Sequence, residues 1–256
     1  MSLITTNDEA RAWFADVLHV PRGTIEKLEQ FEALLLVEMD QQNLIAASTV
    51  DTLWARHFVD SAQLMLHSEG SVEGPWIDLG SGAGLPGIVI AILDPDRPVH
   101  LVESRALRCE FLERVARDIG LNNVTVHHSR LELVPSLAAS VISARAFAPL
   151  DKLLKLAHRF STEKTRWLLP KGKNAVNELE STSKAWQRLF HVEHSLTDAE
   201  SRLLVGTGTV GEGDIASGSV SKKAPPKNIP KKWIANKKFA AQKIAAKKNA
   251  KRDKIG

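Results

Sequence analysis

Residues 76–87 read Trp-Ile-Asp-Leu-Gly-Ser-Gly-Ala-Gly-Leu-Pro-Gly, and this stretch decides the fold. Its first four residues, Trp76–Leu79, predict a buried strand that runs directly into a glycine-rich loop. Glycines let the backbone turn tightly and approach a ligand without a Cβ in the way. Pro86 suits the first turn of a helix, whose N-terminus would then face that ligand. The stretch therefore predicts a strand–loop–helix unit with a binding site at the loop.

The chain around this unit predicts an α/β protein in three parts. Helical spacing of apolar residues predicts a helical segment over residues 1–70 that packs on the core. Between residues 71 and 206 short apolar runs alternate with helical patterns, which predicts a Rossmann-like, mainly parallel sheet with helices on both faces. Two further runs, 190–196 and 202–205, predict an antiparallel hairpin at the sheet edge. Residues 207–256 form a lysine-rich tail.

The same patterns predict the individual elements of the α/β part. Strands are predicted at 76–79, 99–102, 124–126, 141–143 and 167–169. Helices are predicted between them at 86–93, 106–119, 150–160 and 175–190. Strands that alternate with helices in this way favour a parallel sheet covered on both faces.

The net charge of +4 is distributed unevenly. Residues 222–256 hold twelve Lys and one Arg against a single Asp, whereas the rest of the chain is net acidic. A basic tail on an acidic body usually contacts nucleic acid or another polyanion; the alternative is a solvated tail with no specific role. Because the tail has little apolar surface on which to fold, we expect it to be disordered when free.

Composition also restricts the compartment and the kind of site. A single cysteine, Cys109, excludes an internal disulfide and any multi-cysteine zinc site. The N-terminus lacks the apolar region of a secretory signal, and no apolar run approaches the roughly 20 residues that span a bilayer. We therefore expect a cytoplasmic protein, without membrane association and without a metal ion.

Two acidic residues distinguish between possible cofactors. Gly82, Gly84 and Gly87 satisfy the G-x-G-x-x-G spacing of dinucleotide sites, which taken alone is a weak signal. Asp78 ends the first strand, where it would repel a pyrophosphate but favour the sulfonium and ammonium groups of S-adenosylmethionine. Glu103 ends the next predicted strand, roughly 20 residues on, where a carboxylate can accept hydrogen bonds from ribose hydroxyls. The pattern favours S-adenosylmethionine; the alternatives are a turn-capping Asp78 and a solvated Glu103.

Residues 78–87 resemble motif I of the class I methyltransferases, in the Gly-Leu-Pro-Gly form typical of the RsmG (GidB) family. Further segments agree with that family in order and spacing over roughly residues 25–205; they are 43–44 with 56–61, 129–132, 143–148 and 170–172. Each motif is modest evidence, but the set is specific. The resemblance implies a class I methyltransferase fold, S-adenosyl-L-methionine as cofactor, and methylation of N7 of one guanine in 16S (small-subunit) ribosomal RNA.

The resemblance also implies roles for particular residues. Beyond Asp78, Gly82 and Glu103, the cofactor site would include Gly80, Leu85, Leu131, Glu132 and Arg145. Leu131 and Glu132 would flank the adenine, and Arg145 would close the pocket. The side facing the RNA would carry Arg56, His57, Arg108, Arg130 and Lys171.

The sequence departs from the family pattern in two places. Leu107 stands where family members often carry a basic residue, which weakens the RNA contact expected around Arg108. The lysine-rich tail lies outside the family core, so the resemblance implies no role for it. Other readings also remain open: His57 could be a core histidine, Arg130 and Arg145 could pair with carboxylates, and Lys171 could be a turn lysine.

No catalytic acid, base or nucleophile is predicted. Guanine N7 has an in-plane lone pair and no proton to lose, so direct displacement on the sulfonium methyl needs only positioning and desolvation. Residues 141–145 carry neither Asn-Pro-Pro-Tyr, which serves exocyclic amines, nor Pro-Cys, which serves cytosine C5. Cys109 is expected to be a buried, inert thiol.

Two other functions remain as alternatives. One is a methyltransferase that acts on another RNA or on a small molecule, and the basic residues and the tail argue against the small molecule. The other is an inactive, methyltransferase-like RNA-binding protein, against which the intact glycine loop, Asp78 and Glu103 argue. The expected partner is small-subunit ribosomal RNA or an assembling ribosomal particle, bound by a monomer.

Overall fold

The computed structural model describes residues 3–68, 73–211 and 214, and a sheet of seven strands lies at its centre. The strands are β1 Trp76–Leu79, β2 Val99–Glu103, β3 Val124–His128, β4 Val141–Ser143, β5 Arg166–Lys171, β6 Phe190–His194 and β7 Arg202–Thr207. Their order across the sheet is β3-β2-β1-β4-β5-β7-β6. Strands β1 to β5 are parallel, β7 is antiparallel to β5, and β6 is antiparallel to β7. The predicted parallel sheet and its antiparallel edge hairpin are confirmed.

Strand order reverses at the centre of this sheet. β1 lies between β2 and β4, so the connection after β1 runs to one side and a later connection returns to the other. All four residues of β1 are buried, as a strand flanked on both sides and covered on both faces requires. Such a reversal leaves a crevice outside the carboxyl ends of the strands, which is where open α/β sheets bind ligands.

Helices cover both faces of the sheet. They are α1 Asn7–Asp16, α2 Arg22–Glu38, α3 Asp60–Ala62, α4 Gly87–Leu93, α5 Ala106–Ile119, α6 Leu150–Ala157, α7 Ala175–Glu180 and α8 Lys184–Gln187. Shorter helical turns lie at Ala47–Thr52, Gln63–His67, Leu131–Leu133 and His158–Phe160, and a π-helical turn spans Trp54–Val59.

The N-terminal helices pack on one face of the sheet. A capping box starts α1: the Thr6 hydroxyl accepts from the Glu9 backbone, and the Glu9 carboxylate accepts from the Thr6 backbone. Phe14 of α1 meets Trp54 edge to face at 5.7 Å between ring centroids, and Phe31 of α2 stacks on Phe58. These rings form one core with α4 and α5. A second core on the opposite face joins the sheet to α6, α7 and α8.

The predicted helix over residues 175–190 is wrong in one respect, because it divides into α7 and α8. The Ser181 hydroxyl donates to the Asn177 carbonyl at 2.7 Å, and the Thr182 hydroxyl donates to the Leu179 carbonyl at 2.7 Å. Hydroxyl side chains that bond to preceding carbonyls compete with the helix ladder. Gln187 then donates to the freed carbonyls of Glu180 and Thr182. The backbone carbonyls left without a helical partner at the break therefore accept hydrogen bonds from a side chain.

Candidate active site

Asp78 anchors the glycine loop through its buried carboxylate. It is fully buried, with one carboxylate oxygen accepting from the Ser143 hydroxyl at 2.7 Å and the other from the Gly87 backbone N–H at 3.2 Å. Burial raises the pKa of Asp78, and these hydrogen bonds oppose the rise. The residue joins β1, β4 and the start of α4. The structure shows it as an anchor whose side chain is not exposed, and its predicted contact with the cofactor stays a prediction.

The loop itself turns through left-handed glycines. Gly80 and Gly82 have φ of +70° and +56°, a region in which other residues are strained. The Gly82 backbone N–H donates to Glu103 Oε2 at 3.1 Å, so the loop is tied to the end of β2. At Gly80 a Cβ would collide with the ring of Phe147. The loop backbone is therefore closely packed from two sides.

Glu103 is oriented by the backbone that follows it. Its Oε1 accepts from the N–H groups of Ser104 and Arg105 at 2.7 and 2.9 Å, and Arg108 approaches Oε2 at 3.7 Å. The residue is only 6% exposed. A carboxylate fixed in this way can accept ribose hydroxyls without first being ordered.

A cavity of about 350 Å³ opens beside Glu103. Four of the predicted cofactor residues line it, namely Gly80, Glu103, Leu131 and Glu132. Two of the residues predicted to face RNA, Arg108 and Arg130, line it as well, together with Ser129 and Phe147. We call this space the cofactor cavity. Leu85, by contrast, is buried in the core with α4 and does not line it.

The cofactor cavity fits S-adenosylmethionine. It offers a fixed carboxylate for ribose, a loop that a ligand can approach closely at its backbone, and an apolar wall at Leu131 for a purine. Its volume lies within the usual range for small-molecule sites. Arg108 and Arg130 are close enough to the cofactor cavity to serve cofactor, RNA or both, so their RNA contact stays a prediction.

A second cavity of about 590 Å³ adjoins the first and is called here the substrate-side cavity. Ala146, Phe147 and Ala148 line both spaces. Arg145 and Lys171, at the carboxyl ends of β4 and β5, line the substrate-side cavity with Asp60 and Glu178. Arg145 was predicted to close the cofactor pocket; the structure places it in the adjoining space instead.

Arg145 is held by two residues of the N-terminal segment. Its Nη1 lies 3.2 Å from His57 Nδ1 and 3.4 Å from Asp60 Oδ2. On the other side of the ring, His57 Nε2 lies 2.8 Å from the Thr49 hydroxyl, which itself donates to the Ala46 carbonyl. The Thr49 oxygen therefore accepts from Nε2–H, which leaves Nδ1 bare to accept from Arg145.

The electrostatics of His57 agree with this tautomer. Burial, followed by the positive charges of Arg145 and Arg56, lowers the pKa of His57 to about 3. The ring is therefore neutral at physiological pH. Both ring nitrogens are engaged inside the protein, and the predicted contact of His57 with RNA stays a prediction.

Arg56 and Lys171 are also paired within the protein. Arg56 donates to Asp198 at 2.9 Å and to the Thr197 carbonyl at 3.1 Å. Lys171, with 11% of its side chain exposed, donates to Glu178 at 2.9 Å and to the Ala148 carbonyl at 3.3 Å. Both side chains are held by partners within the protein, and their RNA contacts stay predictions.

Cys109 is buried on α5, next to Glu103. Its thiol donates to the Glu103 carbonyl at 3.3 Å. Burial, with the neighbouring Glu103, Glu113 and Glu110 carboxylates, raises the pKa of Cys109 to about 11. The group is therefore a neutral thiol at physiological pH, and its expected inertness stays a prediction.

Within the described ranges, no helix combines the length and the apolar character needed to cross a membrane. The same residues contain no group of three or more His, Cys, Asp and Glu side chains that could hold a metal ion.

Residues to which the sequence analysis assigned no role also shape the site. Phe147 and Asp60 both fall within segments that resemble the family, yet their roles follow only from the cavities that they line. Ser104 and Arg105 act through their backbone N–H groups, which a pattern of residue types cannot predict. An aromatic residue shortly after the strand that ends at Ser143 was the one signal that could have pointed to Phe147.

The sheet order, the glycine loop and the acid at the end of β2 together define a Rossmann-like class I methyltransferase. The fold is shared with the crystal structure of a mutant of MtNAS, at a TM-score of 0.50 and 14% identity over 80% of this chain and 76% of that chain. The family model for rRNA small subunit methyltransferase G (GidB) matches residues 24–205. The chain belongs to this family.

Curated relatives agree along most of their length. Ribosomal RNA small subunit methyltransferase G of Sphingopyxis alaskensis is 52% identical over 81% of this chain and 89% of that relative. The protein of the same name from Jannaschia sp. is 41% identical over 77% of this chain and 93% of that relative. S-adenosylmethionine is the methyl donor that the fold and family define.

Proposed function

We propose that this chain transfers a methyl group from S-adenosylmethionine to N7 of one guanine in small-subunit ribosomal RNA. The observation that carries the proposal is the pair of adjoining cavities. The cofactor cavity, with its ribose acceptor Glu103, shares the wall 146–148 with a larger, charged cavity at the carboxyl ends of β4 and β5. Two substrates can therefore be held next to each other, with the shared residues 146–148 beside both.

The chemistry of N7 suits these residues. When bound, S-adenosylmethionine would supply an electrophilic methyl group, which would leave its sulfonium sulfur as the N7 lone pair bonds to it, with no proton to remove. His57 is neutral with both nitrogens engaged, and Cys109 is a protonated thiol, so neither acts as a base or nucleophile. The residues contribute by aligning the two substrates and by excluding water.

The relatives' names support the choice of substrate, because each is a small-subunit ribosomal RNA methyltransferase. Arg108 and Arg130 at the mouth of the cofactor cavity offer positive charge to a phosphate backbone. We further infer that the protein acts as a monomer in the cytoplasm, on the RNA or on an assembling ribosomal particle.

Nucleoside mass spectrometry tests the proposal. Small-subunit RNA from cells that contain the protein should carry 7-methylguanosine at one position, and RNA from cells that lack it should not. Arg145→Ala should nearly abolish the transfer, whereas Cys109→Ser should leave it largely intact. Methyl label in the small-molecule extract rather than in RNA would contradict the proposal, as would a folded but inactive Cys109→Ser variant.

A further inference from the structure

We infer that the substrate-side cavity receives the guanine base, and that the Asp60 carboxylate accepts hydrogen bonds from its Watson–Crick edge. The inference rests on the proposed function and adds to it the residue that distinguishes guanine from the other bases.

The cavity has the size and the wall that an extruded base needs. Enzymes that modify a base take it out of the stack into a close-fitting pocket, where it stacks against aromatic or apolar side chains. The substrate-side cavity has a volume of about 590 Å³ and an aromatic side chain, Phe147, in its wall. Because Phe147 also lines the cofactor cavity, a base stacked beside it lies next to the methyl donor.

Asp60 has the chemistry that guanine requires. Guanine presents two donors side by side, N1–H and the 2-amino group, and a carboxylate can accept both at once. Adenine presents an acceptor at N1, which a carboxylate repels. Only 17% of the Asp60 side chain is exposed, so little water competes for these hydrogen bonds.

The present partners of Asp60 orient it without saturating it. Oδ1 accepts from Gln63 Nε2 at 2.9 Å and from the Thr197 hydroxyl at 3.3 Å, and Oδ2 meets Arg145 Nη1 at 3.4 Å. A carboxylate offers about four lone-pair positions, and the contacts to Thr197 and Arg145 are long. Both oxygens therefore keep capacity for a donor in the cavity.

Glu178, the other carboxylate in the wall, has a different role. Its Oε2 accepts from the Leu150 backbone N–H at 3.0 Å and from Lys171 at 2.9 Å. It thereby ties α7 to the start of α6 and to the end of β5. Its side chain is 33% exposed, about twice the fraction of Asp60, so a hydrogen bond there would discriminate less.

The proposed orientation leaves the reacting atom free. N7 lies on the opposite side of the bicyclic ring from N1 and the 2-amino group. A base whose Watson–Crick edge is bound by Asp60 thus keeps its N7 lone pair away from protein donors and available to the methyl group. Arg145, which contacts Asp60, compensates the charge of the carboxylate.

Inosine, which lacks the 2-amino group, provides the test. Two RNA substrates are compared, with guanosine or inosine at the mapped target, and kcat/KM is measured for N7 methylation of each. The wild-type protein should prefer guanosine on the order of tenfold, as expected for one lost hydrogen bond to a charged acceptor. Asp60→Asn should be slower on both RNAs and should prefer guanosine by less than about threefold.

Asp151→Asn is the matched control, since Asp151 pairs with Lys155 on α6 and is 39% exposed. It should keep the wild-type preference, and thermal unfolding with cofactor titration should show that both variants are folded. An Asp60→Asn variant that keeps the full preference overturns the inference.

The substrate comparison does not depend on the variant. If the wild-type protein methylates N7 of both RNAs equally well, no group reads the 2-amino position; the inference is then overturned and the proposed function stands. If the wild-type protein methylates no guanine in ribosomal RNA, both fail.

Discussion

Glu103 accepts hydrogen bonds from three backbone N–H groups, those of Gly82, Ser104 and Arg105. At the scale of single residues, this arrangement fixes the carboxylate before any ligand arrives. It also satisfies these three backbone donors, of which that of Gly82 is buried, so Glu103 supports the loop as well as the ligand. A substitution here is expected to change both affinity and local order.

Glu103→Ala should weaken S-adenosylmethionine binding by about 1–3 kcal/mol, the range for losing hydrogen bonds to a charged group. Isothermal titration calorimetry measures this difference. Glu110→Ala, at an exposed position on α5, serves as the control and should bind as the wild type does. An NAD affinity higher than that for S-adenosylmethionine would reject the cofactor assignment.

His57 gives a prediction for the pH dependence of stability. Its pKa is about 3 in the folded protein and 6.5 as the ordinary value, so below pH 6.5 the unfolded chain binds a proton that the folded protein does not. The free energy of unfolding should therefore fall as the pH drops from about 6.5 towards 3, by at most about 1.4 kcal/mol per pH unit for this group.

Urea unfolding at pH 7.5 and 5.5 measures that fall. Because other buried histidines contribute to the total, the readout is the difference between the wild type and His57→Gln, which should lose less stability on acidification. His191→Gln on β6, where 59% of the side chain is exposed, is the control. An identical pH dependence in wild type and His57→Gln would show that the buried neutral imidazole makes no contribution.

At the scale of elements, the β1–α4 connection is the most closely packed part of the site. Asp78 accepts from the first residue of α4, and a Cβ placed on Gly87 would collide with Leu101 of β2 and press on the Asp78 carboxylate. Helix α4 can begin where it does only because its first residue has no side chain. The glycine therefore sets how closely the helix N-terminus approaches the sheet.

Gly87→Ala should destabilise the protein by about 1–3 kcal/mol, since added volume in a filled core forces its neighbours to move. Cofactor affinity should fall as well, because the Asp78 anchor shifts. Gly23→Ala on α2 is the matched control: its added Cβ has nothing within 4 Å, so stability should stay equal or rise by up to about 1 kcal/mol. Thermal unfolding compares the two, and equal melting temperatures would contradict the packing argument.

At the scale of the whole molecule, the substrate-side cavity joins distant parts of the chain. Asp60 comes from the N-terminal helical segment, Arg145 and Lys171 from the ends of β4 and β5, and Arg202 from the start of β7. The helical segment, which was predicted to pack on the core and to carry Arg56 and His57 towards the RNA, therefore also supplies Asp60 to this cavity. The lysine-rich tail predicted over residues 207–256 lies almost entirely outside the described residues, and its role rests on charge alone.

Deletion of residues 222–256 should raise the KM for RNA or ribosomal particles and leave cofactor affinity and the methylated position unchanged. Lysines that contact phosphates release counterions, so the slope of log affinity against log salt should flatten by roughly 0.7 for each lost contact to single-stranded RNA. Binding of full-length and shortened protein at several salt concentrations measures the slope. If the tail instead shields the acidic body, the slope will not change, and RNA affinity will stay equal or improve.

The sequence by itself determined the elements whose signals are local. β1 and β4 begin and end where apolar runs predict, and α5 spans the predicted residues 106–119. Glycines in the loop adopt the left-handed backbone that only glycine adopts readily, and Glu103 lies at the strand end where spacing places it. Periodicity and backbone preference act over a few neighbouring residues, so they can be read without the fold.

Only the tertiary structure decided which side chains meet. Arg145 meets Asp60 and His57, Arg108 and Arg130 lie beside the cofactor cavity, and Asp78 anchors the loop from a fully buried position. Each of these outcomes depends on how the N-terminal helices and the strand ends pack against one another. A charged side chain that loses its contacts with water pairs with a group that the packing brings close to it. Residues far apart in the chain have no local sequence pattern that predicts this pairing.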